Sequence, residues 1–363
     1  MIAERPGLQR LSVAMGDGSA ARAYALTQLT GGCAPGDEVI LNTTAVELDL
    51  GTGGWHFVHW NLSRDELVSP GPDHIMKIRY TSLQADVGTD ELSDSRCDDP
   101  IDGVPVVACF VHSQVAAVAA AFRLHRPEGR LAYVMTDGAS LPIAMSDLVH
   151  DMKTKGLLCG TVTTGHAFGG DLEAVTVPSA LGLAVHALGA EAVVVGMGPG
   201  VVGTGTRLGT TALEVAPILD AAESAGGIPI MCVRASSGDP RGRHHGISHH
   251  SVTVATMTHA RPFVADTPET ATLLPGVRPI AVTPPDPVET LGHFDLRVTT
   301  MGRTVHEDLA FFEAACAAGA LAGRIAEIPE TGAAPRYSEL SRWASSVGTM
   351  STEERSSGEV PSR

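Results

Sequence analysis

Val104–Val111, VPVVACFV, is eight residues long and carries no charge. A strand wet on one face alternates polar and apolar positions. A continuous apolar run belongs to a strand covered on both faces, as in a sheet layered with helices. From this point the chain keeps one rhythm. Ser113–Leu124 reads as helix and Leu131–Met135 as strand. Pro142–Lys155 is helical, Leu157–Thr163 extended. A helix over Asp171–Leu188 takes Asp171 as its N-cap. Ala192–Gly196 and Ile228–Arg234 are strands around a helix at Thr211–Ala225. Ser248–His259 is helical, with Ser248 as cap. Pro262–Ala265, Arg278–Val282 and Phe294–Val298 read as further strands, and an Ala-rich helix, Val305–Glu327, closes the series. The fold class is α/β: a mostly parallel sheet with flanking helices.

Residues 1–95 behave differently. Arg22–Leu29, Glu38–Asn42, His56–Asn61 and His74–Tyr80 are short mixed runs separated by Gly-, Pro- and Asp-rich turns. Strands at this spacing predict a small N-terminal β-barrel domain. The acidic segment Glu91–Asp102 reads as the linker to an α/β ligand-binding domain over 103–330. Residues 331–363, rich in Ser, Glu, Thr and Gly, predict a disordered tail.

Composition excludes some partners. A formal charge of −16 argues against nucleic acid and against an anionic membrane surface. The six cysteines form no CxxC pair, and MIAERPGLQR has no apolar signal core. A reduced, cytoplasmic protein is expected. Forty glycines with only 4% aromatics imply packing by close backbone approach. Ala-rich helices of this kind make a homodimer a reasonable expectation.

Polar and unusual residues gather after the strands, whereas the turns before the strands are plain. Ligands in open α/β sheets bind beyond the carboxyl ends of strands. The richest such segment is Ala190–Gly209, AEAVVVGMGPGVVGTGTRLG. Gly198, Gly200, Gly203 and Gly205 leave the backbone bare. Thr204, Thr206, Thr210 and Thr211 add hydroxyls, and Arg207 adds charge. Such loops bring N–H groups to an anion. Gly198–Gly203 also satisfies GxGxxG, yet no acidic residue ends the next strand and Pro199 removes a donor, so a nicotinamide or flavin site is poorly matched. Tight packing alone remains a further reading.

The next loop holds Arg241, Arg243, His244, His245, His249 and His250 against one acid, Asp239. It suits an anion or proton transfer. His245 and His249 would share a helix face and could hold a metal, but the HExxH pattern is absent; a merely capped helix start is the plain alternative. His166, in a Gly-bracketed loop, is a candidate acid–base residue. Asp137 is either a turn residue or an orienting group. Ser113 and Ser140 lack a nucleophile-elbow context. His112 reads as a core histidine. Trp55 and Trp60 read as barrel packing, and His56 and His59 face solvent or a cleft.

The strings NTTAVELDLGTGGWHFVHWNL, HIMKIRYTSLQ, TTGHAFGGDLEAV, GMGPGVVGTGTRLG and RHHGISHH together resemble a bacterial family of unknown function, over about residues 10 to 325. The resemblance implies no activity, ligand or catalytic role. The residues themselves favour an enzyme that binds a small anionic metabolite or nucleotide, phosphate- or carboxylate-bearing. Its proton-transfer candidates are His166, Asp137, His245 and His249. Its binding candidates are Gly198, Gly200, Gly203, Thr204, Gly205, Thr206, Arg207, Arg241, Arg243 and His244. A ligand-sensing or assembly module and a His-ligated metal hydrolase are the alternatives. The cofactor is left open.

Overall fold

The computed structural model describes residues 1–267 and 274–328, together with Leu340. The expected disordered tail lies almost wholly outside the described residues. The N-terminal strands are β1 (Ala3–Arg5), β2 (Leu8–Ala14), β3 (Ala20–Leu26), β4 (Val39–Asn42) and β5 (Trp55–Asn61). They form one sheet in the order β1-β2-β3-β5-β4. The sheet is open, so the barrel expectation is corrected. Turn spacing signals strands but not closure. Here the edge strands β1 and β4 are short and do not pair, and β3 runs parallel to β5, which breaks the up-and-down pattern a small barrel needs. Trp55 stacks on Tyr24 at 4.7 Å, with the Arg22 guanidinium 4.9 Å above it.

Only Met76–Lys77 (β6) of the expected His74–Tyr80 strand is extended, pairing with Ala85–Asp86 (β7). Positive φ at Ile78 (50°) and Tyr80 (65°) ends it. The acidic linker is tied down. Asp90 accepts from the Glu173 amide at 2.7 Å and Glu91 from that of Val175 at 2.9 Å, while Cys97 and Ile101 are buried in the main core.

The main sheet has eight strands. They are β8 (Pro105–Cys109), β9 (Leu131–Thr136), β10 (Gly160–Thr163), β11 (Leu172–Glu173), β12 (Ala192–Met197), β13 (Ile228–Cys232), β16 (Phe263–Asp266) and β17 (Arg278–Ala281), with a two-strand ribbon of β14 (Ala235–Ser236) and β15 (Gly246–Ile247) after β13. Their order is β11-β10-β9-β12-β8-β13-β16-β17, and every pair is parallel. Every residue of β8, β9, β12 and β13 is buried, as the apolar runs require.

The connections set the site. The chain leaves β8 and β9 toward β11, and leaves β12 and β13 toward β17. Exits therefore diverge between β9 and β12 and again between β8 and β13. Such reversals leave a crevice at the carboxyl ends.

Several helix expectations shift. Asp171 is not an N-cap: it accepts from the Thr161 amide and hydroxyl, both at 2.9 Å, and pairs with Lys153. The short strand β11 intervenes, and the helix Val177–Gly182 is capped by Thr176. The segment Phe294–Val298 is not a strand; Pro287–His293 is a helix capped by Asp286, and Asp295 follows at φ 46°.

The helix Leu309–Ala326 is long and apolar enough to cross a membrane, but 83% of it is buried against the rest of the chain. It packs on His112–His125 and on β8, β13 and β16. Contact is at backbone distance: a Cβ on Gly319 would run into the Val118 carbonyl. Gly319→Ala is therefore expected to cost about 2 kcal/mol by overpacking. Gly292→Ala, where nothing stands within 4 Å, is expected to be neutral or slightly stabilising. Urea unfolding of the two variants checks the contrast.

Candidate functional site

The glycine segment does not lead straight into a helix. Val202 and Thr211 bond across it, with the Thr211 amide donating to the Val202 carbonyl at 3.1 Å, and Thr204 N–H donates to the Gly209 carbonyl at 2.8 Å. Residues 202–211 thus form a small hairpin on the rim, and the helix Val215–Ser224 begins only after a turn at Thr211–Glu214. A dinucleotide site wants glycines at a helix amino end, and this spacing removes that reading. The hydroxyls of Thr204 and Thr206 bond each other at 2.9 Å, and the Gly209 amide donates to Thr206 at 3.1 Å. They serve the hairpin itself. Arg207 is exposed and lines neither cavity described below.

The Arg/His loop is anchored from beneath. Gln114 is fully buried, and its amide donates to the Cys232 and Val233 carbonyls at 3.2 and 3.1 Å. Its oxygen accepts from the Phe110 amide at 2.8 Å, so one side chain ties the ends of β8 and β13. Arg234 comes next. Its amide donates to Ser251 Oγ at 2.9 Å, and its carbonyl accepts from the Ser248 amide at 2.9 Å. Buried Asp308 accepts from Ser236 Oγ at 2.7 Å, from the Ser237 amide at 2.8 Å and from Arg303 Nε at 2.9 Å. Asp239 is ion-paired with Arg241 at 2.6 Å and Arg303 at 3.3 Å. These cations, with bonds from Arg241 first, hold its carboxyl far below the usual range.

The two loops meet. A pocket of about 190 Å³ is lined by Val202, Gly203, Gly205, Arg234, Arg243 and His250, among others. Gly205, at φ 84°, lies against the Arg243 guanidinium, 3.4 Å from where a Cβ would stand. Arg234 is the unusual member, at 5% exposure. Its guanidinium makes one hydrogen bond, to His250 Nδ1 at 3.1 Å, and no ion pair among the described residues. Burial, then the charges of Arg241 and Arg303, push its pKa down to about 10 despite Asp239 and Asp308. Buried cations ordinarily have an anionic partner.

His244, His249 and His250 cluster here, each offering a ligand atom within 4.8 Å of the others. Burial and the nearby arginines depress all three: His244 to about 4, His250 to about 3, and His249 downward. They are neutral at neutral pH. His244 Nδ1 bonds Ser248 Oγ at 2.8 Å, whereas His249 Nε2 is buried without a partner. Three neutral imidazoles suit a metal such as zinc. His250 fits poorly, because Arg234 donates to Nδ1 and so places the ring proton on Nε2. A metal at His250 has to displace one or the other. His245, the expected metal partner of His249, is exposed and outside the trio.

His166 and Asp137 stand apart, at the ends of β10 and β9. Gly165 packs against Asp137, whose carboxylate accepts from Ser140 Oγ at 3.3 Å. His166 Nδ1 accepts from the Ile78 amide at 2.9 Å, and Arg79 lies 3.1 Å from Nε2. The loop is pinned by Lys77, at 1% exposure, which donates to the Gly165 carbonyl at 2.9 Å and pairs with Glu173 at 3.3 Å. Neither His166 nor Asp137 lines the pocket. Sequence reading passed over two groups. Arg234 carried a signal, as the single charge ending an apolar run. The chain Ser146–His112–Tyr133 carried none: Ser146 Oγ is 2.7 Å from His112 Nε2, and Tyr133 Oη is 3.2 Å from Nδ1 and donates to the Gly196 carbonyl at 3.0 Å. Since the Tyr133 proton is used there, His112 donates to Tyr133 and accepts from Ser146. His112 is the satisfied histidine expected, with burial lowering it to about 4.

Fold and rim together define an α/β protein built on a fully parallel eight-stranded sheet. The chain belongs to the family described as Protein of unknown function (DUF3866), whose pattern matches residues 22–319. No curated protein and no solved structure matched it.

Proposed function

We propose that this chain is an enzyme that binds a small anionic metabolite or nucleotide, phosphate- or carboxylate-bearing, between the glycine hairpin and the Arg/His loop. One observation carries the reading: Arg234 is buried at a pocket wall and makes no ion pair among the described residues, and Asp239 and Asp308 only partly offset its charge. Arg243, also without an ion pair among the described residues, adds a second charge. Gly203 and Gly205 let the ligand approach backbone. Arginine binds phosphate and carboxylate in forked geometry, which favours orientation as well as affinity. The neutral imidazoles of His244 and His250, which line the pocket, are the proton carriers, with His249 beside them but not on the wall. An organised set of titratable groups supports an enzyme over a sensing or assembly module. The six free cysteines suit the reducing cytoplasm.

Thermal-shift measurement with inorganic phosphate, nucleotides and acyl phosphates tests the reading. A ligand at a hundred times its Kd stabilises by about 2.7 kcal/mol, which for a chain of this size is a rise of roughly 3–4 °C. Arg243→Ala is expected to lose most of that rise. A rise that Arg243→Ala leaves intact counts against the site.

The clustering of His244, His249 and His250 favours a second reading, a His-ligated metal hydrolase. Elemental analysis of untagged protein purified without chelator decides it. Because Arg234 competes at His250, we expect no stoichiometric transition metal; one metal per chain would replace the first reading with the second.

A further inference from the structure

The pocket has a neighbour. A cavity of about 500 Å³ lies on the other side of Val201 and Met301, and both residues line both spaces. The glycine segment serves the two together. Gly203 and Gly205 border the smaller, while Gly198, Pro199 and Gly200 border the larger, with Gly200 at φ 113°. Met301, on the shared wall, is held at φ 48°, where side chains other than glycine's are strained. Such strain persists where the surroundings impose it, and it gathers at ligand sites. The larger cavity is also lined by Arg297, which has no ion pair among the described residues, and by Gly51 from the N-terminal segment. It is polar enough for a hydroxylated body and far too large for a bare ion.

Resting on the anion-site reading, we infer that the ligand is an organic phosphate. Its phosphoryl group lies against Arg234 and Arg243, and its body crosses the Val201–Met301 ridge into the larger cavity. Two guanidiniums at one wall, neither ion-paired among the described residues, match a dianion better than a single carboxylate. The small pocket takes the head alone, so binding to the body is separable from binding to the head.

Calorimetric titration with inorganic phosphate, ribose 5-phosphate and AMP separates them, in the unaltered protein and in Thr299→Trp. Thr299 is exposed and lines the larger cavity but not the pocket of Arg234 and Arg243, so added bulk there takes space from the body rather than from the head. Either organic phosphate is expected to bind at least about tenfold tighter than inorganic phosphate. Thr299→Trp is expected to erase that advantage and leave the Kd for inorganic phosphate unchanged. Arg297→Ala, which adds no bulk, is expected to weaken the organic phosphates only. Equal binding of all three ligands by the unaltered protein overturns the inference while sparing the anion site. So does a Thr299→Trp variant, folded by its melting profile, that keeps the full advantage or weakens inorganic phosphate equally. Absence of any phosphate binding overturns the anion site and this inference with it.

Discussion

Arg234→Met is expected to abolish phosphate binding and yet leave the unliganded protein as stable as before, or more so. The guanidinium is buried, and its one bond is to a neutral imidazole. Desolvating such a charge costs several kcal/mol, and the neighbouring cations Arg241 and Arg303 add to that cost, while Asp239 and Asp308 offset part of it. Methionine has a similar reach, fills the same space and needs no partner. In the proposed site the anion is the direct partner of this charge, so the expected loss falls on affinity: at least about 100-fold, or roughly 2.7 kcal/mol. Calorimetry and urea unfolding on the same preparation read the two effects separately. Unchanged phosphate affinity would mean that Arg234 is not the anion's partner. A large loss of stability would assign it a structural role through His250.

Lys77→Met is expected to do the opposite, lowering stability by about 3–5 kcal/mol. Lys77 and Glu173 are both buried, and removing the ammonium strands the carboxylate. It also frees the carbonyls of Gly165 and Ala174, which hold the His166 loop. Burial already raises the Glu173 pKa against the pull of Lys77. Without Lys77 it rises further. A carboxyl whose folded pKa lies above its unfolded value stabilises below the unfolded pKa and loses that contribution as pH climbs through the folded one. The variant's deficit should therefore shrink as pH is lowered. Lys77→Met with Glu173→Gln should recover part of the loss at neutral pH. Urea midpoints across pH test both statements; a deficit independent of pH would show that the pair is not what the substitution disrupts.

How far the chain could be read in advance follows from the kind of signal each element carries. Val104–Val111 announced a strand covered on both faces because no polar position interrupts it, and the parallel sheet followed. Strand order did not, because nothing in Ala192–Met197 says which strands it will sit between. The N-terminal strands were recognisable from their turns, but closure is a property of edge pairing, which turns do not encode. Asp171 looked like a helix cap because Asp before an apolar run usually is one, but Thr161 and Lys153 claimed its carboxylate. The meeting of residues 198–205 with 241–250 was foreseeable, since both follow strands of one sheet at the same edge. The histidine trio was not, because residues 244, 249 and 250 share no helical spacing; the turn at Ser248 brings them together. Nor were Arg297, in a segment read as a strand, and Met301, just beyond it, visible as lining residues.

The place of β12 has a consequence for how the molecule is made. It hydrogen-bonds to β9 on one side and β8 on the other, so those two earlier strands are never direct partners. Until Ala192–Met197 has left the ribosome, their facing edges have nothing to pair with, and an unpaired apolar edge invites association with other chains. The nascent chain has to hold that gap open for the length of two further strands. The central seam is thus completed late, and truncation before residue 192 leaves a split sheet rather than a smaller version of the fold.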